Sequence, residues 1–133
     1  MFNANLIVVG AGGHARSCID TIEQEGKYVI GGLVGLVEEV GSKQFDYEVL
    51  TADSGLAQLA KRFRYALIAV GQIHSPELRI RLYNQYLAAG FIFPTIISKV
   101  CLRFFAVLII GIVINYFYFT IFRITFNYLS VKV

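Results

Sequence analysis

The run Val8-Val9-Gly10-Ala11-Gly12-Gly13-His14-Ala15 leaves this chain few ways to fold. Before it stands Leu6-Ile7-Val8-Val9, short and β-branched, the pattern of a strand buried on both faces. After it, Ala15, Cys18, Ile19 and Ile22 recur at i, i+3, i+4 and i+7 and mark one face of a helix. A glycine turn between a buried strand and a helix presents bare backbone N–H groups at the positive end of the helix dipole. That arrangement suits an anion, typically a phosphate. A side chain at such a turn would block close approach or forbid a positive φ.

The pattern continues in strand–helix alternation. Residues 5–10 read as a strand and 13–25 as a helix, with Gly26 at the place of a C-cap glycine. Residues 28–35 read as a second strand, interrupted by Gly31 and Gly32. Phe45–Leu50 alternates and predicts a short edge strand. Asp53 or Ser54 is placed to cap a helix running to about Arg62, with Leu56, Leu59, Ala60 and Phe63 inward. Residues 65–70 predict a buried strand closed by Gly71-Gln72. Ser75-Pro76-Glu77 is a helix start: a capping serine, proline at the first helical position, then an acid. Leu78, Leu82 and Tyr86 repeat every four residues to Gly90, and Phe91-Ile92-Phe93 predicts a last strand before Pro94. Alternation of this kind specifies an α/β fold, a small doubly wound parallel sheet.

Charge and cysteine usage narrow the function. The formal net charge is +3, yet residues 1–99 carry nine basic and nine acidic side chains and the surplus is Arg103, Arg123 and Lys132. The first hundred residues therefore hold no basic patch for nucleic acid. Cys18 and Cys101 fit no ligand spacing, and with His14 and His74 they predict no metal site. They suggest free thiols in a reducing, cytoplasmic setting. The N-terminus lacks the basic and apolar regions of a secretory leader. Arg79 and Arg81 read as a solvated helix face, and His74 as a surface residue.

Gly10-x-Gly12-x-x-Ala15 satisfies the dinucleotide fingerprint in strand-to-helix context. That fingerprint also wants an acid at the end of strand two for a ribose hydroxyl. Here the place holds Val34 and Gly35, and the nearest acid, Glu38, lies past the strand. NAD(P) binding is thus one alternative, and a ligand-free structural turn is another.

The glycine run, with Gly31-Gly32-Leu33-Val34-Gly35, Gly41-Ser42-Lys43, Tyr47-Glu48-Val49-Leu50, Ala69-Val70-Gly71-Gln72 and Pro94-Thr95-Ile96-Ile97-Ser98, resembles the N-terminal domain of the sugar O-/N-acyltransferases. These include sialic acid O-acetyltransferase and bacillosamine N-acetyltransferase. The resemblance covers about residues 4–98. It implies a Rossmann-like domain over 1–98 that holds a nucleotide-sugar or sugar substrate. It further implies a following left-handed β-helix that binds acetyl-CoA, forms trimers and carries a catalytic histidine. Gly10, Gly12, Gly13, His14, Gly35, Gly71 and Gln72 are the substrate-binding residues it points to. Many members carry an acidic pair after strand two, where this chain has Val34-Gly35.

Residues 99–133 depart from the family. No histidine follows His74 and no hexapeptide series follows Ser98, so the resemblance assigns this chain neither a catalytic residue nor an acetyl-CoA site. The stretch 104–122 holds no charged residue and lies between Arg103 and Arg123. As a helix its length is about 28 Å, marginally enough for a bilayer core. As β structure it would be the disrupted start of the β-helix, and as the product of a frame change it need have no function. The expected function is the substrate-binding domain of a sugar acetyltransferase, inactive alone. The alternatives are an NAD(P)-binding protein and a membrane-anchored small α/β protein.

Overall fold

The computed structural model describes residues 4–71, 75–99, 106 and 110. The chain divides into two compact units, Met1–Ser98 and Lys99–Val133, and the sheet belongs to the first. The readings of the stretch 104–122 fall almost wholly outside the described residues. Among the described residues no helix is long and apolar enough to cross a membrane.

Strand β1, Ala4–Val9, is the centre of the domain. Leu6, Ile7 and Val8 are fully buried and Val9 nearly so, as a strand covered on both faces requires. Leu6 and Val8 point to one face, where they meet Ala15, Ile19 and Ile22 of helix α1, Gly13–Glu25. Ile7 and Val9 point to the other, toward Leu59, Phe63, Leu82 and Tyr86. Helix α1 ends at Gly26, which takes φ 71° and returns its N–H to the Ile22 carbonyl at 2.9 Å.

Strand β2, Tyr28–Val34, pairs parallel with β1 despite its two glycines, and the glycines explain its register. Leu6 pairs with Ile30 but Ile7 pairs with Gly32, so Gly31 is the extra residue of a β-bulge. In a regular strand Ile30 and Leu33 would face opposite ways. The bulge brings both to the α1 side, beside Leu6 and Val8. A Cβ at Gly31 would stand 2.3 Å from the Phe63 ring, so a side chain on the inserted residue would displace that ring.

The expected strand over Phe45–Leu50 is instead a hairpin. Strand β3, Lys43–Gln44, and strand β4, Tyr47–Thr51, are joined by Phe45 and Asp46, both at positive φ (53° and 70°). This turn matches the right-handed twist of the strands, and aspartate tolerates the conformation. Phe45 is held there by packing on the α1 side of the core, with the Arg16 guanidinium 5.9 Å from its ring centroid. Because β3 covers it, β4 is an interior strand rather than an edge, parallel to β2.

Helix α2, Leu56–Arg62, follows a 3-10 turn, Asp53–Gly55. Neither Asp53 nor Ser54 caps it, because the turn supplies a backbone bond from Gly55 N–H to the Ala52 carbonyl at 2.9 Å. Leu59 and Phe63 are buried and Leu56 partly so, while Ala60 faces outward. Strand β5, Tyr65–Ile68, then pairs parallel with β1. Helix α3, Glu77–Ala88, starts one residue later than its motif suggests: Pro76 is the cap residue, and the Ser75 hydroxyl accepts the Glu77 N–H at 3.3 Å. The predicted strand over 91–93 shrinks to one bridge. Ile92 donates to the Arg64 carbonyl at 2.9 Å and accepts from Ala66 N–H at 3.1 Å. Two residues on, Pro94 has no N–H to extend the ladder.

The sheet order is β3-β4-β2-β1-β5. From β1 the chain winds outward through α1, β2 and β4. It then returns through α2 on the opposite face to β5, on the other side of β1. The connections leaving β1 and β5 therefore diverge, which opens a crevice at their carboxyl ends.

Candidate functional site

A cleft of about 990 Å³ occupies that crevice. Gly10, Gly12, Gly13 and His14 reach it from the β1–α1 loop, Gly35 from the end of β2 and Gly71 from the loop after β5. Six of the seven residues singled out in the sequence thus converge on one cavity. The seventh, Gln72, lies outside the described residues, as does His74.

The glycines do different work. Gly10 donates its N–H to the Val34 carbonyl at 2.8 Å, and Ala69 N–H reaches the Val9 carbonyl at 2.8 Å, so the three strand ends are tied together. Gly10 has φ 120°, and a Cβ there would stand 3.0 Å from the Ala69 carbonyl oxygen. Its identity is fixed by the fold. Gly12 and Gly13 differ. Neither has a positive φ, and among the described residues no atom beyond the neighbouring backbone lies within 4 Å of a Cβ built on either. Internal packing does not ask for glycine at these two positions; the open cleft above them does, if a ligand approaches the backbone closely.

Helix α1 begins over this opening with Gly12 as N-cap. Among the described residues no side chain caps it and no acid sits in its first turn; the Ala15 N–H bonds the Gly12 carbonyl at 2.9 Å, so the Gly13 and His14 N–H groups and the positive end of the dipole are left to the cleft. His14 adds an imidazole able to donate to a phosphate or accept from a hydroxyl. Its Nε2 lies 3.7 Å from Cys18 Sγ, one turn along the helix. Burial raises the Cys18 thiol pKa, while the nearby Arg79 charge pulls it the other way.

Four charged residues of the cleft were not read as site residues in the sequence: Arg79, Arg81, Glu39 and Asp53. The two arginines belong to the early part of α3, which starts at the same sheet edge as α1. Rather than only a solvated face, they border the cleft beside His14. Glu39 comes from the 3-10 turn Val37–Glu39, and its Oε2 accepts the Leu36 N–H at 2.8 Å. Asp53 follows β4. Leu36, Leu78 and Leu82 supply apolar wall. The cavity thus joins a cationic side, formed by the α1 start and the arginines, to carboxylates carried by the turns after β2 and β4. Among the described residues no group of His, Cys, Asp and Glu is arranged to hold a metal ion.

A sequence model of the PglD N-terminal domain matches residues 5–86. The chain belongs to the PglD N-terminal domain family. Solved structures agree with this PglD-type fold. Perosamine N-acetyltransferase from Caulobacter crescentus, a mutant in complex with CoA and GDP-perosamine, is similar with a TM-score of 0.63 at 20% identity, over 74% of this chain and 44% of that one. The acetyltransferase domain of PglB from Neisseria gonorrhoeae FA1090 is similar with a TM-score of 0.59 at 25% identity, over 73% of this chain and 45% of that one. The PglD-type chain thus spans less than half the length of these solved chains. No curated protein matches it. The Rossmann-like α/β architecture expected from the resemblance is the one observed, and the domain is related to sugar acetyltransferases.

Proposed function

We propose that the cleft binds the nucleotide-sugar substrate of an acetyl transfer, with the diphosphate on the Gly12-Gly13-His14 start of α1 and Arg79 beside it. The observation that carries this reading is the pair Gly12 and Gly13. They are glycines that packing among the described residues does not require, and they stand at a helix start without a side-chain cap inside a cavity. The family membership supports the substrate class, as does a neighbour solved with GDP-perosamine. The reaction served is transfer of acetyl from acetyl-CoA to a sugar amine or hydroxyl. The role proposed for this domain is substrate binding, since the resemblance places the family's general base on the β-helix that follows it.

Calorimetric titration of the full chain with UDP-, GDP- and CMP-sugars, and with NADH, tests the reading. Saturable heat with a nucleotide-sugar and none with NADH supports it. NADH binding without nucleotide-sugar binding would replace it with the dinucleotide alternative, and silence from every ligand in folded protein would reduce the loop to a structural turn.

A further inference from the structure

The fingerprint at Gly10–Ala15 leaves a vacancy: no acid ends β2, where a ribose hydroxyl pair is normally taken. The geometry points to Glu39 as the residue that fills this role, reaching back from the following turn to accept the ribose hydroxyls of a bound nucleotide. This rests on the nucleotide-sugar reading of the cleft.

Three observations converge on Glu39. First, its carboxylate is fixed in place: Oε2 accepts the Leu36 N–H at 2.8 Å, and no other donor reaches the group among the described residues. One oxygen anchors it, and lone pairs remain for a diol. Second, it occupies the place of the missing side chain. A Cβ on Gly35 would stand 2.6 Å from Glu39 Oε2. Glycine at the end of β2 therefore both removes the expected acid and makes room for this one. Third, the position adjoins the glycine loop, because the same Cβ would lie 3.5 Å from the Ala11 Cβ. Glu39 lines the cleft with that loop, half-buried, whereas its neighbour Glu38 is exposed and does not line it. Asp53 also lines the cleft, but it follows β4, one strand further from β1 in the sheet order.

The test compares ribo- and 2′-deoxyribonucleoside diphosphates by calorimetry on the full chain, using UDP with dUDP and GDP with dGDP. Wild-type protein is expected to bind the ribonucleotide about tenfold more tightly than its deoxy counterpart, the effect of losing hydrogen bonding to a charged acceptor. Glu39→Gln keeps an oxygen for Leu36 N–H. It is expected to lose about tenfold in ribonucleotide affinity and most of the discrimination. Glu38→Gln is expected to behave as wild type. Equal binding of the ribo and deoxy forms by wild-type protein overturns the assignment without recourse to any variant. So does full discrimination retained by Glu39→Gln, or its loss in Asp53→Asn instead. If folded wild-type protein binds no nucleotide at all, the reading of the cleft itself fails, a result distinct from these.

Discussion

Substituting alanine at Gly13 and at Gly10 should move stability and binding in different directions. At Gly13, the first residue of α1, φ is not positive and, among the described residues, nothing beyond the neighbouring backbone lies within 4 Å of the new methyl. The substitution restricts the unfolded chain and favours the helix, so it should stabilise by about 0.5 kcal/mol. For a domain of this size that raises Tm by roughly 2–4 °C. The same methyl projects into the cleft and keeps a phosphate oxygen from the backbone N–H groups. Losing one such charge-assisted bond costs about 1.5–3 kcal/mol, roughly ten- to a hundredfold in affinity. At Gly10 the φ of 120° and the 3.0 Å approach to the Ala69 carbonyl reverse the stability effect. Backbone strain alone costs about 1–3 kcal/mol, so Tm should fall by at least roughly 4 °C. Thermal melts followed by circular dichroism, with calorimetric titration of a nucleotide-sugar on each folded variant, measure both quantities. A Gly13→Ala protein that melts as expected yet binds like wild type would refute the reasoning, because the open space above Gly13 would then have no ligand in it.

Gly31→Ala should destabilise by about 1–3 kcal/mol in urea unfolding, since the methyl overlaps the ring of the buried Phe63 and must displace it; an unchanged midpoint would mean that the ring or the bulge can shift. Tyr86→Phe should be neutral or stabilising by up to about 1 kcal/mol, because the buried Tyr86 hydroxyl has no hydrogen-bond partner among the described residues; a loss above about 1 kcal/mol would show that the hydroxyl is satisfied. Alkaline stability should reflect Tyr47, whose pKa is pushed up to about 12 by desolvation first and then by donating its hydroxyl to Glu23 at 2.7 Å. A folded-state pKa above the unfolded value of about 10 means the contribution is complete below that pH and is lost as pH rises toward 12. Tyr47→Phe should flatten that decline, and an identical pH profile in wild type and variant would exclude Tyr47 as its source.

Local chemistry made the alternating elements legible. Leu6–Val9, the α1 periodicity and Gly26 each act within a turn or two of their own position, so they read correctly from one dimension, and Ser75-Pro76-Glu77 placed the α3 start to within one residue. Where the expectations slipped, a partner distant in sequence decided. Phe45 sits in a left-handed turn because α1 packs against it. Ile92 stops at one bridge because its ladder partner is β5 and Pro94 follows. Ala60 faces out because the α2 stripe that meets the sheet is carried by Leu59 and Phe63.

The same division runs through the site. By itself the sequence determined that a glycine turn joins a buried strand to a helix start, because φ, N–H exposure and dipole direction are local properties of Gly10–His14. It also marked Gly35 and Gly71 as strand ends. Only the tertiary structure decided that these ends meet at one crevice, since that follows from the chain reversing across β1 in the order β3-β4-β2-β1-β5. Only there do Arg79, distant in sequence from the loop, and Glu39, beyond the strand end, join the cavity. Side chains carried by connections have no periodicity to announce them, and their place depends on where the sheet brings the connections together.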